Sequence, residues 1–211
     1  LGIASITAGG HLDLNVSDSN DLARSIDIDG VLSLSGNWSN SGTLTVNAAA
    51  TLNLGGSFDT ADIETINRLG GTVNLTGTLN NQGTTLALNA NTGSIHLRGG
   101  RISGGTVTGA DGASLIGTTT NSTLDGVTLD ADLDLTTRDS VVTVQNDLTL
   151  GGTATIGERA RIDFPGSQTL AGTGTVVYST TDSFNRQGLR VTSAYSTFTI
   201  DSGITIRGGN G

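Results

Sequence analysis

VLSLSGNWSNSGTLTVNAAATLNLGGSF, residues 31–58, contains three short strand patterns in which apolar and polar residues alternate. This alternation is the period of a strand with one buried face. The apolar pairs are Leu32-x-Leu34, Leu44-x-Val46 and Leu52-x-Leu54. Leu34 and Leu54 lie 20 residues apart, and each precedes small residues, glycine and a single aromatic residue, Trp38 or Phe58. Since each strand is too short to form a stable hairpin by itself, the stretch predicts one turn of a repeat.

The same period continues through the rest of the chain in three ladders of apolar residues. The first ladder is Leu14, Leu34, Leu54, Leu75, Leu97, Leu115, Leu135, Ile156, Val177 and Phe198. The second is Ile26, Val46, Ile66, Leu88, Val107, Val127, Leu148, Leu170 and Val191. The third is Trp38, Phe58, Leu79, Ile102, a polar gap near Ser122, Val142, Ile162 and Phe184. Three ladders with one period indicate a coil with three sides, each of which buries one rung per turn.

These ladders predict an all-β fold, a right-handed parallel β-helix of about ten coils of roughly 21 residues. Residues 1–211 are expected to form a single domain, excised from a longer or tandem-repeat protein, because both ends have strand-like sequence. A spacing of about 4.8 Å between coils gives a rod roughly 45 to 50 Å long. The strict six-residue repeat of left-handed β-helices is absent, and the uneven corners favour the right-handed form.

Composition agrees with a thin rod and excludes several kinds of site. Glycine makes up 32 of 211 residues and aromatic residues only 3%, so the corners are well supplied with residues that adopt positive φ. Without cysteine there is no disulfide, thiolate metal site or cysteine nucleophile. A net charge of −9 argues against nucleic acid or anionic lipid as a partner. No apolar run approaches the ~18 residues of a membrane span.

Three segments interrupt the rhythm. Residues 17–25 are polar and predict a loop that leaves the first coil. Residues 59–69 contain Ile63, Ile66 and Leu69 at the spacing of a helical turn, but Ile66 also falls on the second ladder, which favours an irregular strand with a bulge. Residues 180–187 predict a protruding loop.

The strongest candidate for a site is an acidic row at Asp130, Asp132 and Asp134. Leu129, Ala131, Leu133 and Leu135 alternate with these residues and should point inward, so the three carboxylates should point outward, about 6.5 to 7 Å apart. Such a row could bind Ca²⁺ or supply paired carboxylates for glycan cleavage. It is also the pattern of a solvated face that keeps the rod soluble, and we favour that interpretation. We therefore predict no catalytic residues, no cofactor and no metal.

The other polar residues favour structural roles. His11 and His96 should lie four coils apart on the surface, too distant to share a metal. Arg98 and Arg101, with Asp111 and Asp125 on later coils, are a weak candidate for a polysaccharide lyase site. Asparagines at predicted corners should bond the backbone or stack in an inward ladder; they are Asn37, Asn40, Asn80, Asn81 and Asn121.

Threonine pairs with one residue between them are frequent, at Thr43/Thr45, Thr76/Thr78, Thr106/Thr108, Thr153/Thr155 and Thr173/Thr175. Stacked on one flat side, such pairs would suggest ice binding. Here they should fall on different sides of the coil, and the strand propensity of threonine is sufficient to explain them.

Segments such as GGTVNLTGTLNNQGTTLALN and STLDGVTLDADLDL resemble the Gly/Thr/Asn-rich repeats of large bacterial surface proteins, the filamentous-haemagglutinin-like and autotransporter-type adhesins. The resemblance covers nearly the whole chain. It implies a right-handed β-helical shaft without catalytic residues, in a secreted or cell-surface protein.

We therefore expect a structural shaft segment of an adhesin or extracellular filament. The alternatives are a β-helical polysaccharide lyase or hydrolase, a glycan-binding module and, less favoured, an ice- or calcium-binding solenoid. The expected partners are neighbouring copies stacked end to end, because strand-like residues at both ends leave unpaired backbone groups. Glycans or a host or matrix surface are further expected partners.

Overall fold

The computed structural model describes residues 5–22, 24–63, 65–179 and 188–208, with the backbone alone at 16–20. Within these ranges there are 25 strands and one short helix. In chain order they are β1 (Ser5–Ile6), β2 (His11–Asp21), β3 (Ile26–Ile28), β4 (Val31–Ser39), β5 (Thr43–Val46), β6 (Thr51–Leu54), β7 (Ser57–Asp59), α1 (Thr60–Ile63), β8 (Thr65–Arg68), β9 (Thr72–Leu75), β10 (Thr78–Asn80), β11 (Thr85–Leu88), β12 (Ile95–Leu97), β13 (Arg101–Ser103), β14 (Thr106–Gly109), β15 (Ser114–Gly117), β16 (Ser122–Asp130), β17 (Asp132–Leu135), β18 (Val141–Leu150), β19 (Thr153–Ile156), β20 (Arg161–Phe164), β21 (Gln168–Gly172), β22 (Thr175–Tyr178), β23 (Gly188–Val191), β24 (Phe198–Ile200) and β25 (Thr205–Gly208).

The strands stack in parallel as a β-solenoid of about eight turns, about 21 residues apart, which confirms the predicted parallel β-helix. About eight turns is fewer than the expected ten, although one side, face 1, contains ten stacked strands. They are the first part of β2, the first part of β4, then β6, β9, β12, β15, β17, β19, β22 and β25. The handedness of the coil stays a prediction.

Two further faces complete each turn. Face 2 consists of the last residues of β2 and β4, then β7, β10, β13, the first parts of β16 and β18, β20 and β23. Face 3 consists of β1, β3, β5 and β8, then β11, β14, the second parts of β16 and β18, β21 and β24. Face 3 is interrupted between β8 and β11, which belong to two different sheets. The interruption follows α1, the one helix in the described part of the chain.

The inward side chains form one hydrophobic cluster along the solenoid. Most ladder residues lie in it, but three rungs of the first ladder were assigned wrongly. Leu115 was expected to lie in register with Leu97 and Leu135. It pairs instead with Ile95 and Leu133, two residues earlier on each neighbouring strand. Val177 pairs with Thr155 and Arg207 on the outer side of face 1. Phe198 lies on face 3 opposite Gln168.

The other two ladders contain similar errors of register. On face 3, Ile26 pairs with Leu44 rather than Val46, so this ladder shifts by one alternation. Val191, predicted on the same ladder, pairs with Phe164 on face 2. In the third ladder Ser122 is buried and in register with Val142, but Ile102 pairs with buried Leu124, so the predicted polar gap is not the next rung after Ile102. Trp38 and Phe58 stack on successive turns, with ring centroids 4.4 Å apart. Phe184 lies outside the described residues.

Two of the three predicted interruptions differ from the structure. Strand β2 continues through residues 17–21, where we expected a loop, after a register shift between Val16 and Asn20. Residues 60–63 form the helical turn α1 instead of a bulged strand, and the chain returns to the ladder at β8, where Ile66 pairs with Leu44. The expected loop at residues 180–187 lies outside the described residues.

Long strands bend at corners where one or two residues adopt positive φ. In β16 that residue is Gly126 (φ 62°), and in β18 Asn146 (φ 52°) and Asp147 (φ 68°) occupy the equivalent place. The pairing of β16 with β18 shifts register at this point, between Asp125 and Val127. Asparagine and aspartate tolerate this conformation better than other L-residues do, so one hydrogen-bonded strand can cover two faces.

Candidate functional site

The acidic residues Asp130, Asp132 and Asp134 point outward as predicted, because Ala131 and Leu133 between them are buried. They do not form one straight row, however. Asp130 ends β16 on face 3, whereas Asp132 and Asp134 belong to β17 on face 1. The corner at Ala131 thus separates the first carboxylate from the other two, which the alternating sequence could not reveal.

A shallow groove of about 240 Å³ lies at this corner. It is lined by Asp111, Asp130 and Asp132 with the small residues of the 109–113 turn. Asp111 was not predicted to join this group. An adjoining groove of about 210 Å³ on face 1 includes Asp132 and Asp134. The corner therefore gathers four carboxylates from two successive turns.

The carboxylates at this corner already accept hydrogen bonds from the backbone. Asp132 Oδ1 accepts from Thr153 N at 2.8 Å, one turn above. Asp111 Oδ2 accepts from Ala90 N at 3.2 Å, one turn below, and Asp134 Oδ1 accepts from Thr136 N at 2.8 Å. Across the described ranges no group of three or more histidine, cysteine or acidic side chains is placed to hold a metal ion. These contacts assign the three carboxylates a structural role in joining turns and shaping corners.

The two histidines lie four strands apart on face 1, as predicted. His11 is exposed, and its Nε2 lies 2.9 Å from Asp13 Oδ1. Hydrogen bonds from His11 and Ser33 lower the pKa of Asp13. His96 is half-buried; burial lowers its pKa, and the positive charges of Arg68 and Arg98 lower it further.

Arg98 and Arg101 diverge, although they flank the same corner. Arg101 lies on face 2, where its Nη2 donates to Asp125 Oδ2 on the next turn and its Nη1 donates to Gln145 Oε1 at 3.0 Å, two turns away. Burial alone would raise the pKa of Asp125, but hydrogen bonds from Asn146 and Arg101 lower it below the ordinary value. Asp111 lies at a different corner. The structure therefore does not assemble the predicted lyase-like group.

Face 2 carries a second ionic network that the sequence did not indicate. Arg190 binds Asp163 through two hydrogen bonds, from Nε to Oδ1 and from Nη2 to Oδ2, both at 2.8 Å. Arg161 Nε donates to the same carboxylate at 3.2 Å. Asp163 and Arg190 are distant in the sequence but face each other in register on neighbouring strands. Only the pairing register could have identified them as partners.

The corner asparagines divide into buried and exposed members. Asn40 and Asn81 are buried, and their Nδ2 groups donate to carbonyls of the following turn, Ile63 O and Thr106 O respectively. They do not stack on each other. A side-chain ladder exists on the outside of face 1 instead, where Asn74 donates to Asn53 at 2.8 Å and Asn53 donates to Ser33 at 3.0 Å.

The exposed corner asparagines make side-chain contacts between turns. Asn80 Nδ2 donates to Asp59 Oδ1 at 2.8 Å, and Asn121 Nδ2 donates to Thr143 Oγ1 at 3.0 Å. Asn37 is exposed.

The threonine pairs fall on different faces, as predicted: Thr43/Thr45 and Thr106/Thr108 on face 3, Thr153/Thr155 on face 1. One row of hydroxyl side chains does form on the outside of face 1. Its members are Thr51, Thr72, Ser94, Ser114, Thr153, Thr175 and Thr205, with Asp132 interrupting it. Ice binding would need threonine pairs stacked in two columns on one flat face, and a single row does not provide them.

The chain matches no protein-family model, no curated protein and no solved structure. In the described ranges, no helix has both the length and the apolar character needed to cross a bilayer.

Proposed function

We propose that this chain is a structural shaft segment of a secreted or cell-surface bacterial protein, an adhesin or an extracellular filament, without a catalytic role. The observation that carries the proposal is the continuity of face 1, where ten strands stack in register over one hydrophobic cluster. Such a core can be lengthened turn by turn into a shaft, because each turn is stabilised mainly by its neighbours.

The use of polar side chains supports the same role. Asp132, Asn81 and Arg101 each bond to the following turn. Among the described residues no buried side-chain nitrogen or oxygen lacks a hydrogen-bond partner. The polar side chains between turns are thus engaged in holding the solenoid together, which is what a scaffold requires.

A screen of the purified chain tests the adhesive part. We expect binding to one or more immobilised glycans or matrix proteins and no loss of polymer length when soluble polysaccharides are incubated with the chain. Release of oligosaccharides that is abolished by Asp130→Asn would overturn the proposal in favour of a hydrolase or lyase.

We further propose that copies of this segment stack head to tail. The last described turn exposes inward-register apolar residues: Val191 is 38% exposed, Ile200 41% and Ile206 44%. At the opposite end, Leu12 and Leu14 are only partly buried, so both terminal rungs present apolar residues beside strand edges. A scattering mass that grows with concentration is expected; a constant monomer mass at millimolar concentration would contradict it.

A further inference from the structure

Two arginine side chains lie near His96 on face 1, around β12. His96 is the outward residue in the middle of β12, in register with Asn74 below and Ile116 above. Arg98 follows the strand, and its backbone N donates to Leu75 O at 2.9 Å. Arg68 ends β8, at the corner where the chain passes from face 3 to face 1. We call Arg68, His96 and Arg98 the cation strip, in which the two arginines supply the positive charge.

Arg68 occupies a position that the fold otherwise gives to core residues. It pairs with Val46, which in turn pairs with Ile28, and both of these side chains are fully buried. Its Nε donates to Gly71 O. A Cβ added at Gly93 would lie 2.6 Å from Arg68 Cδ and 2.7 Å from Nη1. The guanidinium therefore leaves the corner through a gap that exists because residue 93 has no side chain.

The strip has no carboxylate partner in the described part of the chain. Five of the nine described arginines form ion pairs: Arg101, Arg138, Arg159, Arg161 and Arg190. Arg68 and Arg98 form none. The Arg68 side chain lies against Gly93, three residues before His96, and after burial the charges of Arg68 and Arg98 are what lower the pKa of His96. The carboxylate that raises the pKa of His96 is that of Asp134. It lies two strands away, or roughly 10 Å along the axis.

Stability does not account for this grouping. Like charges that lie close together repel, and a partly buried cation without a carboxylate partner loses solvation that is only partly compensated. An external anion would supply the missing partner. At physiological salt the Debye length is about 8 Å, so the remote carboxylates that give the chain its net charge of −9 are largely screened from a ligand bound here.

We propose that the cation strip binds the oxyanion groups of an acidic polysaccharide lying on face 1. Guanidinium groups bind planar carboxylates and sulfates in a bidentate manner. Beside the strip, Thr72, Ser94 and Ser114 present hydroxyls that suit a polyhydroxylated chain. The outward positions of face 1 contain no Phe, Trp or Tyr within the described strands, so the stacking on which single-stranded nucleic acid binding depends is not provided. This proposal does not depend on the shaft role.

Affinity measurements with defined probes test the proposal. The probes are polygalacturonate for carboxylate, dextran sulfate for sulfate, neutral dextran as the blank, and a single-stranded oligothymidine. We expect at least one of the two acidic polysaccharides to bind, neutral dextran not to bind, and the oligonucleotide to bind more weakly. Tighter binding of the oligonucleotide, or equal binding of neutral dextran, would overturn the assignment.

Arg98→Gln is the decisive variant, because Arg98 is exposed and its loss should not affect folding. Loss of one charge-assisted contact should weaken binding about tenfold, and Arg68→Gln with Arg98→Gln should weaken it further. Arg207→Gln is the matched control: it removes one unpaired, exposed arginine from face 1 five strands away and should change affinity less than about twofold. Equal effects of R98Q and R207Q would show that only net charge matters and would overturn the proposal. In that case the shaft proposal would still stand, because it makes no use of this surface.

Discussion

The middle of the solenoid and its last described turn have the same inward pattern but very different burial. In the middle turns Leu124, Leu129 and Leu133 are fully buried. In the last turn Ile200 and Ile206 occupy equivalent inward positions, in register with Leu170 and Val176, yet more than two fifths of each residue is exposed. The strand itself is therefore not what buries a side chain. Burial comes from the turns on both sides, so the stability of a solenoid lies largely in the contacts between turns.

The largest effect should come from a corner in the middle region, at Gly105. Its φ is 66°, and an added Cβ would overlap Asn81 O on the turn below. Because backbone atoms cause the overlap, the turns would have to separate, and Gly105→Ala should cost at least about 4 kcal/mol. Urea denaturation followed by circular dichroism measures this.

Gly83→Ala is the matched control for that variant. Gly83 has a similar φ of 71° but nothing within 4 Å of the added Cβ. Gly83→Ala should lower the free energy of unfolding only by the cost of placing an L-residue in the left-handed region, about 1 to 2 kcal/mol. Equal losses at Gly83 and Gly105 would show that close stacking of turns contributes little.

The direct comparison of core residues comes next. Leu133→Ala in the middle removes a fully buried side chain and should lower the free energy of unfolding by about 3 kcal/mol. Ile206→Ala in the last turn, where the side chain is 44% exposed, should cost less than about 1 kcal/mol. If the two variants lose the same free energy in urea titrations of dilute protein, the last turn is covered in solution, which would support head-to-tail stacking.

A smaller effect should distinguish two neighbouring asparagines of one corner. Asn81 is fully buried, and its amide bonds Thr60, Thr84 and the backbone of the next turn. Asn81→Ala leaves those partners unsatisfied and should cost about 2 kcal/mol. Asn80→Ala removes only an exposed bond to Asp59 and should cost less than about 0.5 kcal/mol. Thermal unfolding curves of the two variants measure this difference, and equal losses would show that the buried contacts between turns contribute no more than the exposed one.

The smallest expected effect is the pH dependence that comes from His96. Its pKa lies below the ordinary value of 6.5 in the folded chain, so the unfolded chain binds the proton more readily. Its contribution to stability should therefore be lost as the pH falls through about 6.5 toward the folded pKa. Titration of the imidazole by NMR should show this lowered pKa.

In Arg98→Gln the pKa of His96 should rise toward its ordinary value, because one of the two repelling charges is gone. Arg207→Gln should leave the titration unchanged. A pKa of His96 that does not respond to Arg98 would mean that burial and Arg68 set it without a contribution from Arg98.

The alternation and the common repeat period of the three ladders were sufficient to predict the parallel β-helix and to place most apolar residues inside. Register was harder. In TVVY, residues 175–178, two adjacent valines fit the alternation equally well, and the structure buries Val176 rather than Val177. The spacing between neighbouring strands of face 1 also varies: the step from Ser114 to Asp132 is much shorter than the step from Thr175 to Thr205, although each pair is in register. A ladder predicted with a constant step therefore loses the true register of the strands along the chain.

The sequence by itself determined the class of fold, the outward direction of Asp130, Asp132 and Asp134, and the distance between the two histidines, because these follow from local alternation and a repeat length. Only the tertiary structure decided where each turn bends. It separated Asp130 from Asp132 at a corner, brought Asp111 beside them, joined Asp163 to Arg190 and placed the Arg68 side chain against Gly93. The physical reason is that side chains on different turns meet through the hydrogen-bonded register of the stacked strands, and that register depends on the length and backbone conformation of every corner between them.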